Sequence, residues 1–369
     1  MKRWSAKLGM ACLIAMLAAC SNNTDQANIT QAPAAAAAEK PARAKQESAS
    51  LTMEQQVDDY MDSIQFSGAI LIVTDNKLRV AKGYRLADID NNRANDADTV
   101  FQIASTSKAF TAAAILQLQE QGKLTITEPV RKYLPDYPYD QVTIHQLLTH
   151  TAGIPNFTEL PGYFATMNTT MTVSENLNKF INAPLEFEPG SRFKYSNSGY
   201  NLLGAVIEAV SGQPFGDYLS EHILVPLGMT RSGYLNKSQL SEPIARGYTQ
   251  DSNSLRPSWD TDMTVTYAAG GLYSTVNDLY KWVQGLESGK VMSASSWAAM
   301  RTPNKQNYAL GWAISPEGNR YFHNGHIPGF LSLISRNLAS GDLLIVLSND
   351  NSTDMDEVQR ELASLMSSE

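Results

Sequence analysis

The sequence predicts an α+β fold in which both ends of the folded region contribute strands to one antiparallel sheet. Two β-rich runs surround a turn at Asp75-Asn76 near the beginning, and further runs follow one another near the end. The chain between them is punctuated by proline and glycine and carries helical patterns. Strands at both ends with helices between them indicate one sheet with an inserted helical subdomain.

The first nineteen residues are predicted to be an export signal. Lys2, Arg3 and Lys7 form a positive region, and residues 8–19 are apolar but too short to cross a bilayer. The run ends in Leu-Ala-Ala-Cys at Cys20, which resembles the lipobox of bacterial lipoproteins, where the cysteine is lipidated. The alternative is ordinary secretion with cleavage nearby.

The segment after the signal is predicted to be a tether. Residues 20–50 are rich in alanine, contain Pro33 and Pro41, and have no aromatic side chain that would build a core. Ser21 rather than Asp follows the cysteine, and the lipobox resemblance then implies the outer membrane, facing the periplasm of a bacterial cell envelope. The expected membrane contact is the lipid on Cys20.

Charge and cysteine content exclude several classes of function. The formal net charge is −8, and loss of the three cations of the signal makes it −11, which disfavours nucleic acid as a partner. The two cysteines are Cys12, within the signal, and Cys20. The exported chain is therefore expected to have no disulfide, thiolate zinc site or cysteine nucleophile.

The folded region is predicted to span residues 51–366. Its sheet subdomain takes about 51–122 and 267–366, and its helical subdomain about 123–266. An amphipathic helix is expected at 52–64, and the hairpin follows it. Further helices are expected at 142–150, 173–182, 198–211, 215–224 and 353–366. Late strands are expected at 308–315, 321–326, 329–337 and 342–350.

Residues 104–121 are predicted to form one buried helix that starts with Ser105-x-x-Lys108 and stops at Gly122. The spacing places both side chains on one face, and burial with the positive helix end favours a neutral lysine. A neutral amine beside a hydroxyl is a general base, and Ser105 would be its nucleophile. The backbone N–H of Ser105 would also stabilise an oxyanion. The alternative is a helix cap with a solvated lysine.

Other segments add to this pattern. A second Ser-x-x-Lys, Ser191 and Lys194, follows Pro-Gly and is interpreted as a turn. Tyr195-Ser196-Asn197 opens the next predicted helix, so Tyr195 would relay a proton and Asn197 would orient Lys108 or a substrate amide. The competing pair Tyr234 and Asn236 is expected in a loop.

The third segment is His323-Asn324-Gly325 on a predicted strand. Gly325 would let a substrate backbone lie close to that strand. His326 lies three residues from His323, and because such residues face opposite sides of a strand, no shared metal site is expected.

These three motifs, in this order, resemble those of the serine β-lactamases and penicillin-recognising DD-peptidases. The chain looks most like the class C branch, which includes esterases and D-aminopeptidases, and the resemblance covers about residues 52–366. It implies an antiparallel sheet flanked by the terminal helices, with the site at the junction of the subdomains.

The resemblance also implies residue roles. Ser105 would be the nucleophile, Lys108 with Tyr195 the base system, and Asn197, His323 and Gly325 the substrate-binding residues. The backbone N–H groups of Ser105 and His326 would form the oxyanion hole. The implied reaction is hydrolysis of a small-molecule or peptide substrate through an acyl-enzyme, with no metal or organic cofactor.

One departure affects the expected substrate. Dedicated β-lactamases and DD-peptidases usually have Lys-Thr-Gly where this chain has His323-Asn324-Gly325. A histidine with a pKa near ~6.5 is mostly neutral at pH 7, so carboxylate binding should weaken and return as His323 protonates near pH ~6. Esters, D-amino-acid amides or peptides are thus favoured over β-lactams. The alternative from another class is a non-catalytic, lipid-anchored binder or sensor of cell-wall peptides.

Remaining polar and aromatic residues are interpreted as structural. His145 and His150 flank a predicted helix and turn, and Trp282, Trp297 and Trp312 are expected in the core or cleft wall. The sequence has no Gly-x-Ser-x-Gly, His-Glu-x-x-His, P-loop or Gly-x-Gly-x-x-Gly motif.

Overall fold

A computed structural model describes residues 51–234, 244–251 and 254–367. Its strands are β1 Gly68–Thr74, β2 Lys77–Tyr84, β3 Leu86–Asp88, β4 Arg93–Ala94, β5 Phe101–Gln102, β6 Gly233–Tyr234, β7 Tyr248–Asp251, β8 Ser254–Pro257, β9 Leu272–Ser274, β10 Ala313–Ile314, β11 Arg320–Ile327, β12 Phe330–Asn337 and β13 Leu343–Ser348. Its α-helices are α1 Met53–Ser63, α2 Ser107–Glu120, α3 Ile144–Leu148, α4 Tyr163–Thr166, α5 Val173–Asn178, α6 Asn197–Ser211, α7 Phe215–Leu219, α8 Met263–Gly270, α9 Val276–Glu287, α10 Ala294–Met300 and α11 Met355–Met366.

The main sheet confirms the predicted α+β class. Its strand order is β10-β11-β12-β13-β1-β2 with antiparallel pairs throughout, so the first and last parts of the chain meet at β1 and β13. On one face, Ile70 and Val346 pack with apolar residues of α1 and α11. On the other face, Leu71 and Ile345 join the larger core, which includes α2. The terminal helices therefore cover one face of the sheet, as predicted.

The first elements form where the sequence predicted them. Thr52 caps α1 through a capping box with Gln55, which satisfies free N–H groups of its first turn. Asp75 and Asn76 join β1 to β2 with φ values of 51° and 60°. Two consecutive positive φ angles are typical of the tight turns that match the twist of a hairpin.

The predicted helix at 104–121 is divided into two parts. Residues Ala104–Thr106 form a 3₁₀ turn, and α2 begins only at Ser107. Ala104 has a φ of 45°, so the chain enters the helix through a left-handed residue rather than a simple cap. The buried character of α2 was predicted correctly, because all residues from Ser107 to Leu118 are buried.

Several other expectations need correction. The segment 308–315 was expected to be a strand, but only Ala313–Ile314 forms one, and Tyr308 bridges back to Ala313 because the chain turns at Gly311 with a φ of 77°. Tyr234 lies in the short strand β6 instead of a loop. Helices α8, α9 and α10 were not predicted. The signal, the tether with Cys20, and Asn236 lie outside the described residues.

Within the described ranges, no helix combines the length and the apolar character needed to cross a lipid bilayer.

Candidate active site

The 3₁₀ turn Ala104–Thr106 holds Ser105 between β5 and α2. Both neighbours of Ser105 are buried, whereas Ser105 itself is partly exposed. Ser332 of β12 anchors the turn: its hydroxyl donates to the carbonyl of Ile103 at 2.7 Å and accepts from the Thr106 hydroxyl at 2.8 Å. The left-handed Ala104 is a strained conformation, and such strain is common where a side chain must be presented to a ligand.

Lys108 lies beneath Ser105 on the same face. Its Nζ is 3.0 Å from Ser105 Oγ, 2.8 Å from Asn197 Oδ1 and 2.7 Å from the carbonyl oxygen of Ala269. The side chain is fully buried, and burial lowers the pKa of its amine well below the usual value. The alternative of a solvated lysine at a helix cap is therefore wrong.

The hydrogen-bond partners of Lys108 determine where the lone pair of its neutral amine points. A neutral amine has two N–H groups, and the carbonyl of Ala269 and Oδ1 of Asn197 can only accept hydrogen bonds. Both N–H groups are then used, and the lone pair faces the Ser105 hydroxyl. This arrangement is what a general base requires.

The carbonyl of Ala269 reaches Lys108 because α8 is kinked. Tyr267 has φ 40° and ψ −125° inside the helix, so the residues after it leave the helical path. The carbonyl of Ala268 then accepts from the Thr111 hydroxyl at 2.7 Å, while that of Ala269 accepts from Lys108. This contact was not predicted, since the sequence around 267–271 gives no sign of the kink.

Tyr195 is the second side chain that contacts the hydroxyl of Ser105. Its hydroxyl donates to Ser105 Oγ at 3.0 Å, and its ring lies 4.9 Å from Lys108 Nζ. Burial raises the pKa of Tyr195, which keeps the phenol protonated near neutral pH. Tyr195 is thus placed as a hydrogen-bond donor, and Lys108 is the group able to accept the Ser105 proton.

Asn197 is the first residue of α6 and continues the network away from Lys108. Its Nδ2 donates to Asn156 Oδ1 at 3.2 Å and to Thr158 Oγ1 at 3.4 Å, and its backbone N–H also donates to Asn156 at 3.1 Å. Asn156 was missed in the sequence, although it directly follows the stretch at 147–155 that carries the family resemblance.

His323 departs from its expected role. The side chain is 4% exposed, and its Nδ1–H donates to the carbonyl of Asn324 at 2.7 Å. Nε2 therefore accepts from the Tyr308 hydroxyl at 3.0 Å. Burial, together with the nearby Lys108, lowers the pKa of His323 to about 3. The expected protonation near pH 6 is wrong, because this imidazole is held neutral inside the protein.

Gly325 and His326 lie on β11 beside the nucleophile turn. A Cβ at Gly325 would stand 2.5 Å from the Ile103 carbonyl oxygen and 2.9 Å from the Ser105 nitrogen. The absence of a side chain at Gly325 therefore lets the turn that carries Ser105 pack against β11. The sequence had predicted only that this glycine makes room for a substrate backbone. His326 is exposed whereas His323 is buried, so the two rings face opposite sides as predicted.

His150 supports the segment that carries Tyr195. Its Nδ1 accepts from the backbone N–H of Ser196 at 3.1 Å, and its ring lies 4.2 Å from that of Tyr195. Burial lowers its pKa well below the usual value, so it remains neutral. The structural interpretation of His150 is confirmed, and Trp282, Trp297 and Trp312 are core residues.

A cleft of about 430 Å³ is lined by residues other than Ser105, Lys108 and Tyr195. It is bordered by Gln102, three residues before Ser105, and by Pro328, two residues after His326. The indole of Trp259 forms part of its wall and is 72% exposed.

The second Ser-x-x-Lys lies in the predicted turn. Ser191 is exposed, and Lys194 forms surface ion pairs with Glu159 at 3.1 Å and Glu186 at 2.7 Å. We expect Ser191→Ala to retain wild-type ester hydrolysis and wild-type labelling by a fluorophosphonate. Loss of both in this variant would show that the wrong serine was chosen as nucleophile.

The fold is that of the β-lactamase and penicillin-binding protein class, and Ser105, Lys108 and Tyr195 meet as the family resemblance implied. The β-lactamase family model matches residues 53–365, and the chain belongs to that family. It is 32% identical over 318 residues to PbpX of Bacillus subtilis (strain 168), described as a penicillin-binding protein, covering 85% of this chain and 79% of that protein.

Solved structures agree with this assignment. A penicillin-binding protein from Bacillus halodurans is 29% identical with a TM-score of 0.76, covering 84% of this chain and 98% of that one. A D-stereospecific amidohydrolase from Streptomyces sp. is 25% identical with a TM-score of 0.71, covering 84% of this chain and 97% of that one.

Proposed function

We propose that the protein is a serine hydrolase that cleaves an ester or amide through an acyl-enzyme on Ser105. The observation that carries the proposal is the position of Ser105 Oγ, 3.0 Å from both Lys108 Nζ and the Tyr195 hydroxyl. One neighbour is a buried amine with a lowered pKa and the other a phenol with a raised pKa. A base and a proton donor at one hydroxyl is the arrangement expected of an activated nucleophile.

The first step follows from this geometry. Lys108 takes the Ser105 proton as Oγ bonds to the substrate carbonyl carbon, and the carbonyl oxygen becomes an oxyanion. The backbone N–H groups of Ser105 and His326 are the proposed donors to that oxyanion. Collapse of the intermediate breaks the bond to the leaving group, which receives a proton from Lys108 through Tyr195. Water then attacks the acyl carbon by the same route, and Ser105 is restored.

The proposed substrates are small esters, D-amino-acid amides or D-amino-acid peptides. His323, at the position where related enzymes usually have a lysine, is buried and neutral, so it offers no cation to a substrate carboxylate. The resemblance to a D-stereospecific amidohydrolase supports an amide substrate. A panel of p-nitrophenyl esters, D-amino-acid amides, DD-peptides and nitrocefin tests the proposal. We expect turnover of uncharged substrates to exceed that of nitrocefin.

We expect His323→Lys to lower stability without recruiting carboxylates. The change removes the bond from Tyr308 and places an ammonium at a 4% exposed position, and an unsatisfied buried polar group costs about 1–3 kcal/mol. Thermal unfolding measures the loss, and Asn324→Lys, at the exposed neighbouring position, is the matched control. A stable His323→Lys protein with improved kcat/KM for carboxylate substrates would contradict this account.

The alternative function is a non-catalytic binder of cell-wall peptides on the same fold. It predicts binding of D-amino-acid peptides without turnover and no covalent labelling of Ser105. The lowered pKa of Lys108 favours the enzyme, because a binding site gains nothing from a neutral buried amine. A burst of product on mixing with an activated ester decides between them.

We propose that the chain is a lipoprotein of the bacterial cell envelope, anchored through Cys20 with its catalytic region in the periplasm. The support is the sequence pattern of residues 1–20. We expect Cys20→Ser to move the protein from the membrane fraction to the soluble fraction and to abolish labelling with a clickable fatty acid. Equal partitioning of both proteins would favour ordinary secretion.

A further inference from the structure

The orientation of the Asn197 amide is set by a chain of side chains that reaches the surface. Asn156 Nδ2 donates to Glu159 Oε1 at 3.1 Å, and Asn156 Oδ1 accepts from Asn197. Glu159 in turn forms an ion pair with Lys194, the partly exposed lysine of the second Ser-x-x-Lys. The network therefore runs from the protein surface to Lys108.

The side-chain amides of Asn156 and Asn197 can each adopt two orientations, and only one of the two is compatible with the neighbouring groups in this network. A carboxylate accepts hydrogen bonds and cannot donate them, so Glu159 requires the Nδ2 of Asn156. Asn156 then presents Oδ1 to Asn197, which must turn Nδ2 toward it and Oδ1 toward Lys108. The Glu159 carboxylate and the backbone N–H of Asn197, which also donates to Asn156 Oδ1 at 3.1 Å, therefore together determine which atom of the Asn197 amide faces Lys108.

We propose that Glu159 and Asn156 are positioning residues that hold the Asn197 amide in the orientation that directs the Lys108 lone pair at Ser105. The inference rests on the proposed function. Asn156 is 7% exposed, so water does not readily replace its contacts. If the Asn197 amide reversed, Nδ2 would donate to the amine, and the lone pair would turn away from the nucleophile.

The other titratable groups around Lys108 do not supply this control. Its Nζ lies 4.9 Å from the ring of Tyr195 and 5.5 Å from that of Tyr200, and His150 and His323 are close enough to feel its charge. Burial raises the pKa of both tyrosines and lowers that of both histidines. All four are neutral near pH 7, so the polar partners of the amine decide its orientation.

The test compares Asn156→Leu and Glu159→Gln with Glu186→Gln. Glu186 also forms an ion pair with Lys194, at 2.7 Å. Its replacement therefore removes one carboxylate beside the same lysine but leaves the hydrogen bonds of Asn156 and Asn197 unchanged. We expect kcat for a p-nitrophenyl ester to fall about tenfold or more in Asn156→Leu, which loses the hydrogen bonds to Glu159 and Asn197. The fall should be about two- to tenfold in Glu159→Gln, because the glutamine amide can donate as well as accept and no longer fixes the orientation of Asn156. KM should change little, and Glu186→Gln should match the wild type.

The pH profile separates positioning from loosened packing. A reversed Asn197 amide faces Lys108 with a donor, which disfavours the ammonium, so the acid limb of kcat/KM should move to lower pH while the plateau falls. Loosened packing would admit water and move the limb to higher pH, toward the usual lysine pKa. Thermal unfolding confirms that each variant is folded.

Two results would overturn the positioning role. One is kcat in both Asn156→Leu and Glu159→Gln within about twofold of Glu186→Gln, because neither the hydrogen bonds of Asn156 nor the acceptor-only group at position 159 would then matter for the base. The other is an acid limb that moves upward. In either case an inactive Ser105→Ala protein would leave the proposed hydrolase intact, so the two failures are distinguishable.

Discussion

Replacement of Ser105 by alanine is expected to abolish hydrolysis of every substrate that the wild type cleaves. Ser105 Oγ lies in the 3₁₀ turn with Lys108 and Tyr195 each 3.0 Å away, and removing that atom removes the site of covalent bonding. In serine hydrolases the loss of a covalent nucleophile costs on the order of 10⁶ in kcat. Active-site titration with a fluorophosphonate, followed by mass spectrometry, should find the label on Ser105 in the wild type and none in the variant.

The fold should survive this change. Ser105 is partly exposed, and the turn is anchored by Ser332 and Thr106 rather than by the Ser105 hydroxyl. We expect the thermal midpoint of Ser105→Ala to stay close to that of the wild type. Ser191→Ala, which removes a hydroxyl from the exposed Ser-x-x-Lys, is the matched control. Wild-type activity in Ser105→Ala, or a label on another residue, would disprove the assignment.

Patterns within single elements predicted most of the sheet and the position of the candidate site. Alternation and a two-residue turn predict the hairpin at Asp75-Asn76, and the apolar length of α2 predicts a buried helix. Ser105, Lys108, Tyr195 and Asn197 are brought together as their spacing and the family resemblance implied.

The features that were missed depend on contacts between distant parts of the chain. The 3₁₀ turn requires a positive φ at Ala104, which no local preference of alanine favours. The carbonyl of Ala269 reaches Lys108 only because α8 is kinked at Tyr267. The lowered pKa of His323, which keeps the ring neutral even near pH 6, follows from burial beside Tyr308, and tertiary packing sets burial at such a position.

Lys108 is the residue whose chemistry depends most on this packing. Replacing it with methionine keeps most of the length and volume of the side chain but removes the amine, so Ser105 loses its base. A lost general base usually costs about 10² to 10⁴ in rate, and we expect kcat for an activated ester to fall by that amount. Tyr195 cannot take over the role near neutral pH, because burial raises the pKa of its phenol.

The pH dependence of activity should identify Lys108 as the base. The amine must be neutral to accept the Ser105 proton, so kcat/KM is expected to be constant above the pKa of Lys108 and to fall as pH drops through it. Because burial lowers that pKa well below the usual value, the acid limb should lie far below pH ~10.4, the pKa of an ordinary lysine. His323, with a pKa of about 3, should contribute nothing between pH 5 and 8.

Stability measurements test the same pKa without relying on activity. Between the folded-state pKa of Lys108 and the unfolded value near ~10.4, the unfolded chain binds one proton more than the folded protein at this residue. The free energy of unfolding of the wild type should therefore rise with pH across this window, relative to that of Lys108→Met. Chemical denaturation of both proteins at several pH values measures the difference. A difference that stays constant from pH 6 to 10 would mean that Lys108 titrates alike in both states, and its assignment as a neutral base would be wrong.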